Sequence, residues 1–509
     1  MMRALKTLMI VLTAAAAGCA VGPNYRPPKP DSPAGFAGSA GHAPAAGTPA
    51  GNAVDPANWW KGLEDPQLDA LVERAVKSNL NLEAALTRLQ QARTYETVVI
   101  GYALPDIEAS AGAGRGTGSD LARGRASQTL VSADDSSGLK HVNTLEGFDS
   151  VWEIDVFGRF RREVEAVRAD TQAAVAARNG VLISVVADVV RAYVDLRGFQ
   201  TQLGIVRRAA GVLRDSLRIV DIRYQRGITN ELDVQLARRE LASFEARIQP
   251  LQAQANAALY ALAVLLGEYP ENVIHDLSQP GLIPSMPAAV TAGLPLDLLK
   301  RRPDIQQAER GLAAATARIG VATANLFPQV VVTGAIGAQG QGWGTQPAVG
   351  QHVWSFGPGA IWPLLDFGSL DAQADIADLE ARLRLIEYRQ TIITAVQEVD
   401  GALDAYSAEQ DSLDNLGDAM VAAQRAVDLA TERYNRGLTD YLNVVDAERQ
   451  LYDLQEQYAA AQVAEGESFV QLYKSLGGGW QNYEALPAIR RPQPAIIAAF
   501  RRLLMNPEP

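Results

Sequence analysis

The chain has 509 residues, 48% hydrophobic and 20% charged, with a formal net charge of −12 and a pI near 5.0. A phosphate backbone requires clustered Lys and Arg, so this balance argues against a nucleic-acid partner. A single cysteine, Cys19, excludes an intrachain disulfide, and His42, His141, His275 and His352 show no metal-ligand spacing, so neither a metal nor another cofactor is expected.

Residues 1–18 read as a secretory signal. Arg3 and Lys6 form its basic start, and Leu5 to Ala17 an apolar stretch too short to span a bilayer. Ala16-Ala17-Gly18-Cys19 has the small residues of a lipobox cleaved before the cysteine, although Ala16 stands where Leu is usual. The alternative is a plain signal-peptidase site with an incidental thiol; the sole cysteine falling where an anchor attaches favours lipidation. By resemblance to sorted bacterial lipoproteins, Ala20 in place of Asp points to the outer membrane. No later run of 18 apolar residues is seen, so any mature membrane span is expected to be β-strand.

Residues 19–58 form the expected lipid-anchored tether, since eight of the 26 prolines fall between residues 22 and 56. Folded structure should begin near Trp59-Trp60, followed by helical spacing from Pro66 to Arg93. No proline occurs from Asp106 to Gln249 or from Leu364 to Leu486. Within these tracts Val181, Val185, Ala192, Leu196, Leu203 and Val206, and likewise Ile392, Val396, Val399, Leu403, Tyr406 and Leu413, recur at helical intervals. A helix from about Arg161 to Arg226 rises about 1.5 Å per residue, a rod of ~100 Å, with Gly180, Gly198, Gly204 and Gly211 marking bends or close approaches.

The chain repeats itself. Trp152-Glu-Ile-Asp-Val-Phe-Gly158 matches Trp362-Pro-Leu-Leu-Asp-Phe-Gly368, Arg223-Tyr-Gln-Arg-Gly-Ile-Thr229 matches Arg433-Tyr-Asn-Arg-Gly-Leu-Thr439, and Leu266-Gly267 matches Leu476-Gly477, all 210 positions apart. Ala103-Leu104-Pro105 matches Leu326-Phe327-Pro328 at 223, so the first copy carries 13 more residues in its loop. The expected division is a first copy at 59–270, a linker at 271–294, a second copy at 295–480 and a tail at 481–509. Each copy holds two alternating stretches: Ile107, Ala109, Ala111 and Ala113, then Phe148, Trp152, Ile154 and Val156; Val330, Val332, Gly334 and Ile336, then Trp354, Phe356, Ala360 and Trp362. Period-two segments of about ten residues ending near aromatics are the pattern of membrane strands.

Four strands cannot close around a pore, and an open sheet in lipid leaves two edges of unpaired backbone groups at several kcal/mol each. Closure therefore calls for more than one chain: two would give a narrow barrel and three a twelve-stranded one.

The Cys19 start with Val21-Gly-Pro-Asn-Tyr-Arg-Pro-Pro28, the paired Phe-Gly strand ends and the paired Arg-Tyr-x-Arg-Gly turns resemble the TolC-like outer-membrane efflux proteins, in particular the lipoprotein (NodT-type) subgroup serving RND pumps. The resemblance spans residues 19 to about 480. It implies a mainly α fold with a small antiparallel β membrane part: a homotrimer whose shared twelve-stranded β-barrel in the outer membrane continues into a long-helix α-barrel that extends into the periplasm. It also implies docking, through a periplasmic adaptor protein, to an inner-membrane RND pump, and a passive exit duct for drugs or other small molecules rather than an enzyme.

Gly227 and Gly437 fall where a long helix must reverse, with Thr229 and Asn230, or Thr439 and Asp440, placed to cap the next helix. By resemblance, Leu442 and Asp446 form constricting rings at the periplasmic entrance, while Asp233 and Tyr434 bond neighbouring helices to keep it shut. Asn443 stands where some relatives have a second acidic ring. Thr439 stands where some have an Arg, so the latch leans on Arg436 or Tyr434 or is weaker. From the residues alone, Asp233 and Asp446 read equally as first-turn carboxylates favoured by the helix dipole. Arg226, Gly227, Arg436 and Gly437 are the candidate adaptor-docking tips. Three other readings are a type I protein-secretion duct; a periplasmic coiled-coil adaptor or rod, against which the alternating segments count; and an envelope enzyme, for which no nucleophile elbow, His-Glu-x-x-His or phosphate loop is present.

Overall fold

A computed structural model describes residues 20–29, 36–37, 55–116, 141–287, 300–343 and 349–483. Cys19, the signal, most of the tether and the tail beyond residue 483 lie outside the described residues.

Asp55 caps a short 3-10 helix over Pro56–Leu63, and Asp65 caps α1 (Pro66–Ser78) by accepting from the backbone of Gln67 and Leu68. The helical pattern that the sequence carries to Arg93 is broken at Asn79 before α2 (Leu80–Tyr102). The Asn79 backbone is extended, its Oδ1 accepts from the Leu82 N–H, and its amide donates to the Leu265 carbonyl. An asparagine whose side chain serves two backbone partners ends one helix and starts the next. Then follow β1 (Asp106–Gly116), β2 (His141–Ile154), α3 (Arg159–Gln225), α4 (Glu231–Leu265), α5 (Pro270–Leu277), α6 (Pro303–Ala324), β3 (Gln329–Trp343), β4 (Val349–Ile361), α7 (Ser369–Asn435) and α8 (Tyr441–Ser475). The helices α3 and α7 have 67 residues each and α4 and α8 have 35 each. The expected long helices are present, and α4 continues through Pro250. One 18-residue window of α3 is apolar enough on average for a membrane span, although polar residues interrupt it and it is no continuous apolar run, and more than half of it is buried. Leu182, Val186, Val189 and Val190 are fully enclosed there, so its apolarity serves packing.

The contacts divide the chain into two units, one of residues 1–29, 91–175 and 307–389, the other of 30–90, 176–306 and 390–509. Each draws on both sequence copies.

The first unit holds one antiparallel sheet in chain order, β1-β2-β3-β4. Its register pairs Ala109 with Phe148, Phe148 with Ile336, and Ile336 with Trp354; Trp152 faces Val332, which faces Pro358. Residues directly opposite share a face, so the paired members of the four alternating sets fall on one side, while Val156 and Trp362 lie beyond the ends of β2 and β4. Ile107, Phe148, Ile336, Trp354 and Phe356 on that side are 58–77% exposed. The other side carries Glu108, Asp149, Glu153, Thr333 and Ser355. Trp152 and Trp362 each donate from Nε1 to a carbonyl at 3.1 Å, that of Ala103 and that of Leu326, one in each copy. Asp155 accepts from the Phe160 and Arg161 N–H groups at the start of α3, and Asp366 from Leu370 at the start of α7. Both Phe-Gly motifs are thus the N-terminal caps of the long helices.

Residues 20–25 belong to this unit. The Val21 N–H donates to the Phe157 carbonyl, and the buried Arg162 donates to the carbonyls of Val21 and Gly22 and to Asn24. The Tyr25 hydroxyl donates to Glu309.

In the second unit Trp59 and Trp60 are 1% exposed. Trp59 stacks on Tyr473 and meets Phe469 edge-on, joining the start of the folded chain to the end of α8. Arg302, itself buried, bridges Asp304 and Glu398 and donates to the Ser475 carbonyl. Of the α3 glycines only Gly198 meets a neighbour too closely for any larger residue: a Cβ there would lie 2.2 Å from Val463 of α8. Among residues 271–294, the segment expected as a linker, α5 buries Val273 and Leu277.

Candidate functional site at the helix-hairpin turns

The two reversals are built alike. Gly227 has φ +70° and Gly437 has φ +75°, left-handed values that glycine accepts without a Cβ penalty. The Gly227 N–H donates to the Tyr224 carbonyl and the Ile228 N–H to Arg223; the Gly437 N–H donates to Tyr434 and the Leu438 N–H to Arg433, all at 2.9 Å. This double bond pattern is the Schellman stop, which satisfies carbonyls the helix end leaves open. Asn230 then caps α4, accepting from the Asp233 N–H at 3.0 Å. The second turn differs from expectation: Asp440 makes no side-chain cap, and Thr439 instead accepts from the Asn443 amide at 2.7 Å.

The hairpins α3/α4 and α7/α8 pack at these ends through Val220, Val234, Ala237, Tyr434, Tyr441, Val444 and Val445. Tyr434 is 9% exposed, with the Arg223 guanidinium 4.6 Å from its ring centroid and the Tyr441 ring 5.3 Å away. The Tyr441 and Ser216 hydroxyls bond at 2.7 Å. Burial pushes the Tyr434 hydroxyl above its ordinary pKa; the Arg223 charge opposes this and the Asp233 carboxylate adds to it. Asp233 also accepts from the Thr229 hydroxyl. Tyr434 and Asp233, expected to bond neighbouring helices, lie near each other, but no hydrogen bond joins them: among the described residues the buried Tyr434 hydroxyl has no hydrogen-bond partner, and the cation over its ring is Arg223.

Arg436, expected as an alternative support for the latch, pairs instead with Glu432 one turn back on its own helix, where both are exposed. A groove of about 510 Å³ beside it is lined by Asp428, Thr431, Glu432, Asn435 and Arg436. Arg226, Gly227 and Gly437 are exposed at the tips. Leu442 is 46% exposed, Asn443 exposed and Asp446 half-buried on α8.

Two turns into α8 lies a feature the sequence did not announce. Glu448 and Glu240, on facing helices, are 7% and 4% exposed. Burial, then the Glu240 charge, pushes Glu448 up to about 7. Arg239 lies 3.5 Å from Glu240 and pairs with it. In the sequence Glu448 is one more acid in a charged helix; only its packing distinguishes it.

The model of the outer membrane efflux protein family matches residues 71–268 and 294–478. The chain belongs to this family. It is 31% identical over 483 residues to a toluene efflux pump outer membrane protein, TtgF, of Pseudomonas putida, covering 94% of this chain and 98% of that one. It is 29% identical over 464 residues to nodulation protein T of Rhizobium leguminosarum bv. trifolii, covering 91% and 95%. Among solved structures, the outer-membrane channel OprN superposes with a TM-score of 0.80 at 34% identity, covering 91% of this chain and all of that one. The Campylobacter jejuni outer-membrane channel CmeC matches with a TM-score of 0.80 at 21% identity, a likeness of fold. As an outer membrane efflux protein, this chain is the outer-membrane channel component of an efflux system. Its mainly α fold with one small antiparallel sheet is that of the TolC-like channels. The exposed apolar side of the sheet and its two edges acquire a meaning in that setting.

Proposed function

We propose that this protein is the passive exit duct of a tripartite RND system, a homotrimer anchored by lipid at Cys19 and coupled through a periplasmic adaptor to an inner-membrane pump. The sheet carries the reading. Among the described residues β1 and β4 each have one strand neighbour, leaving two open edges, while Trp354 and Phe356 stand 77% and 75% exposed on one side. Three such sheets joined edge to edge give twelve strands, with the apolar side to lipid and the side of Glu108, Asp149 and Thr333 to water. The toluene-pump relative supports a small-molecule cargo. The domain division at 59–270 and 295–480 fits an element order of helix, two strands and two long helices that recurs, with the long helices equal in length.

Two observations support the anchor. Arg162 holds the backbone just after Cys19, and the close approach of Ala20 leaves no room for a Cβ at Gly158. Ala20, the residue after Cys19, thus lies where β2 gives way to α3. At the periplasmic entrance Leu442 and Asp446 form the constriction, the Asp233–Tyr434–Arg223 group keeps the hairpins together, and the tips with Arg226, Gly227, Arg436 and Gly437 receive the adaptor.

Protein extracted in detergent from the outer-membrane fraction is expected to have the mass of three chains; a water-soluble monomer would end this reading. In planar bilayers, Tyr434→Ala raises single-channel conductance more than Asp233→Asn, because it removes the ring that Arg223 and Tyr441 pack against. Unchanged conductance in both variants refutes the latch.

A further inference from the structure

The turn motifs are equivalent at a separation of 210 residues, but the contact they make inside the chain uses only half of each. Arg223 of the first copy lies over Tyr434 of the second. The other halves, Tyr224 of the first copy and Arg433 of the second, are exposed, Tyr224 to 42%. Both motifs end 67-residue helices with the same pair of 2.9 Å backbone bonds, so Arg433 and Tyr224 hold the same places beside their turns as Arg223 and Tyr434.

In a ring of alternating hairpins, one step of rotation carries the first hairpin onto the second, and the second onto the first hairpin of the next copy. Applied to the observed contact, that step places Arg433 over Tyr224 of a neighbouring copy. We propose that this Arg433–Tyr224 contact, framed by Thr439 and Asn443, is the joint between copies at the periplasmic entrance. It rests on the trimeric duct proposed above.

The same substitution of positions shows how the two joints differ. Asp233 becomes Asn443, Ser216 becomes Ala426, Tyr441 becomes Glu231 and Val445 becomes Gln235. The joint between copies therefore loses the Ser216–Tyr441 hydrogen bond and two members of the apolar cluster, and its carboxylate stands in the place of Tyr441, as Glu231, rather than in that of Asp233. A cation over an aromatic ring is the main contact left to it, and the entrance separates first along the seams between copies.

A photoreactive p-benzoylphenylalanine at position 224, irradiated in membranes, tests the contact. The expected product is a covalent adduct between chains whose peptide map reaches the segment around Arg433. A trimer of correct mass whose adducts stay within one chain, or reach another segment, overturns the contact while leaving the duct intact; a monomer overturns the duct itself. In bilayers, Arg433→Ala and Tyr224→Ala each raise open probability about two- to fivefold, and together no more than either alone, whereas Tyr224→Phe, which keeps the ring, leaves it unchanged. Additive effects of the two alanine variants would also overturn the contact.

Discussion

Replacing Trp59 by alanine destabilises the folded chain by about 3–5 kcal/mol, the usual cost of deleting a large buried aromatic. Trp59 is 1% exposed, its ring stacks at 5.5 Å on Tyr473, and it meets Phe469 at 5.8 Å and Trp60 at 6.0 Å. The cavity cannot close easily, because the glycines beside it already bring backbone close: a Cβ on Gly478 would lie 2.5 Å from the Pro56 carbonyl oxygen. Denaturant unfolding of the detergent-solubilised protein should show the loss as a lower midpoint with an unchanged slope. Trp59→Phe should recover part of it, since a smaller ring retains stacking on Tyr473. A loss below about 1 kcal/mol would mean that this cluster is peripheral to stability.

The second large effect has the opposite sign. Glu448→Gln stabilises the α4/α8 packing above neutral pH. Glu448 is raised from 4.5 to about 7, first by burial and then by Glu240. Below pH 4.5 the folded and unfolded chains both hold the proton and the group costs nothing. As pH rises the unfolded chain ionises first, so stability falls by roughly 1.4 kcal/mol per pH unit until the folded group ionises near pH 7. The total is about 3 kcal/mol, lost between pH 4.5 and about 7 and constant above it. Glutamine keeps the shape of the neutral acid without the titration. Hydrogen exchange of the α8 amides around position 448 should therefore be slower in the variant at about pH 8 and equal at about pH 4, after correction for intrinsic rates. Equal protection at both pH values, or faster exchange at the higher one, would contradict the buried-carboxylate account. The groups facing Glu448 are Glu240 from α4 and, on α8 itself, Tyr441 and Tyr452, both pushed up to about 12 mainly by burial. Neither tyrosine titrates in this window, so the transition belongs to Glu448.

These effects also mark where sequence reading stops. Asn79 divides a continuous apolar pattern because its side chain reaches the Leu265 carbonyl, a partner 186 positions away that no local period reveals. Arg223 and Arg433 stand in identical motifs, yet one covers a buried tyrosine of the same chain and the other is exposed. Arg436, a possible support of the latch from its place in the turn, is held by Glu432, four residues back.

The linear chain alone determined the features whose causes are local. Missing prolines specify long helices, period-two alternation specifies strands, and glycine before a capping residue specifies a reversal, because each depends on backbone sterics within a few residues. It also determined which strand residues can share a side. Only the tertiary structure decided that the paired members of all four sets take the same side of one sheet, because pairing register is a relation between distant segments. The same holds for the burial of Glu448 and the choice of Arg223 over Arg436. Burial and charge pairing are properties of what surrounds a side chain, and those surroundings come together only when helices far apart in sequence pack.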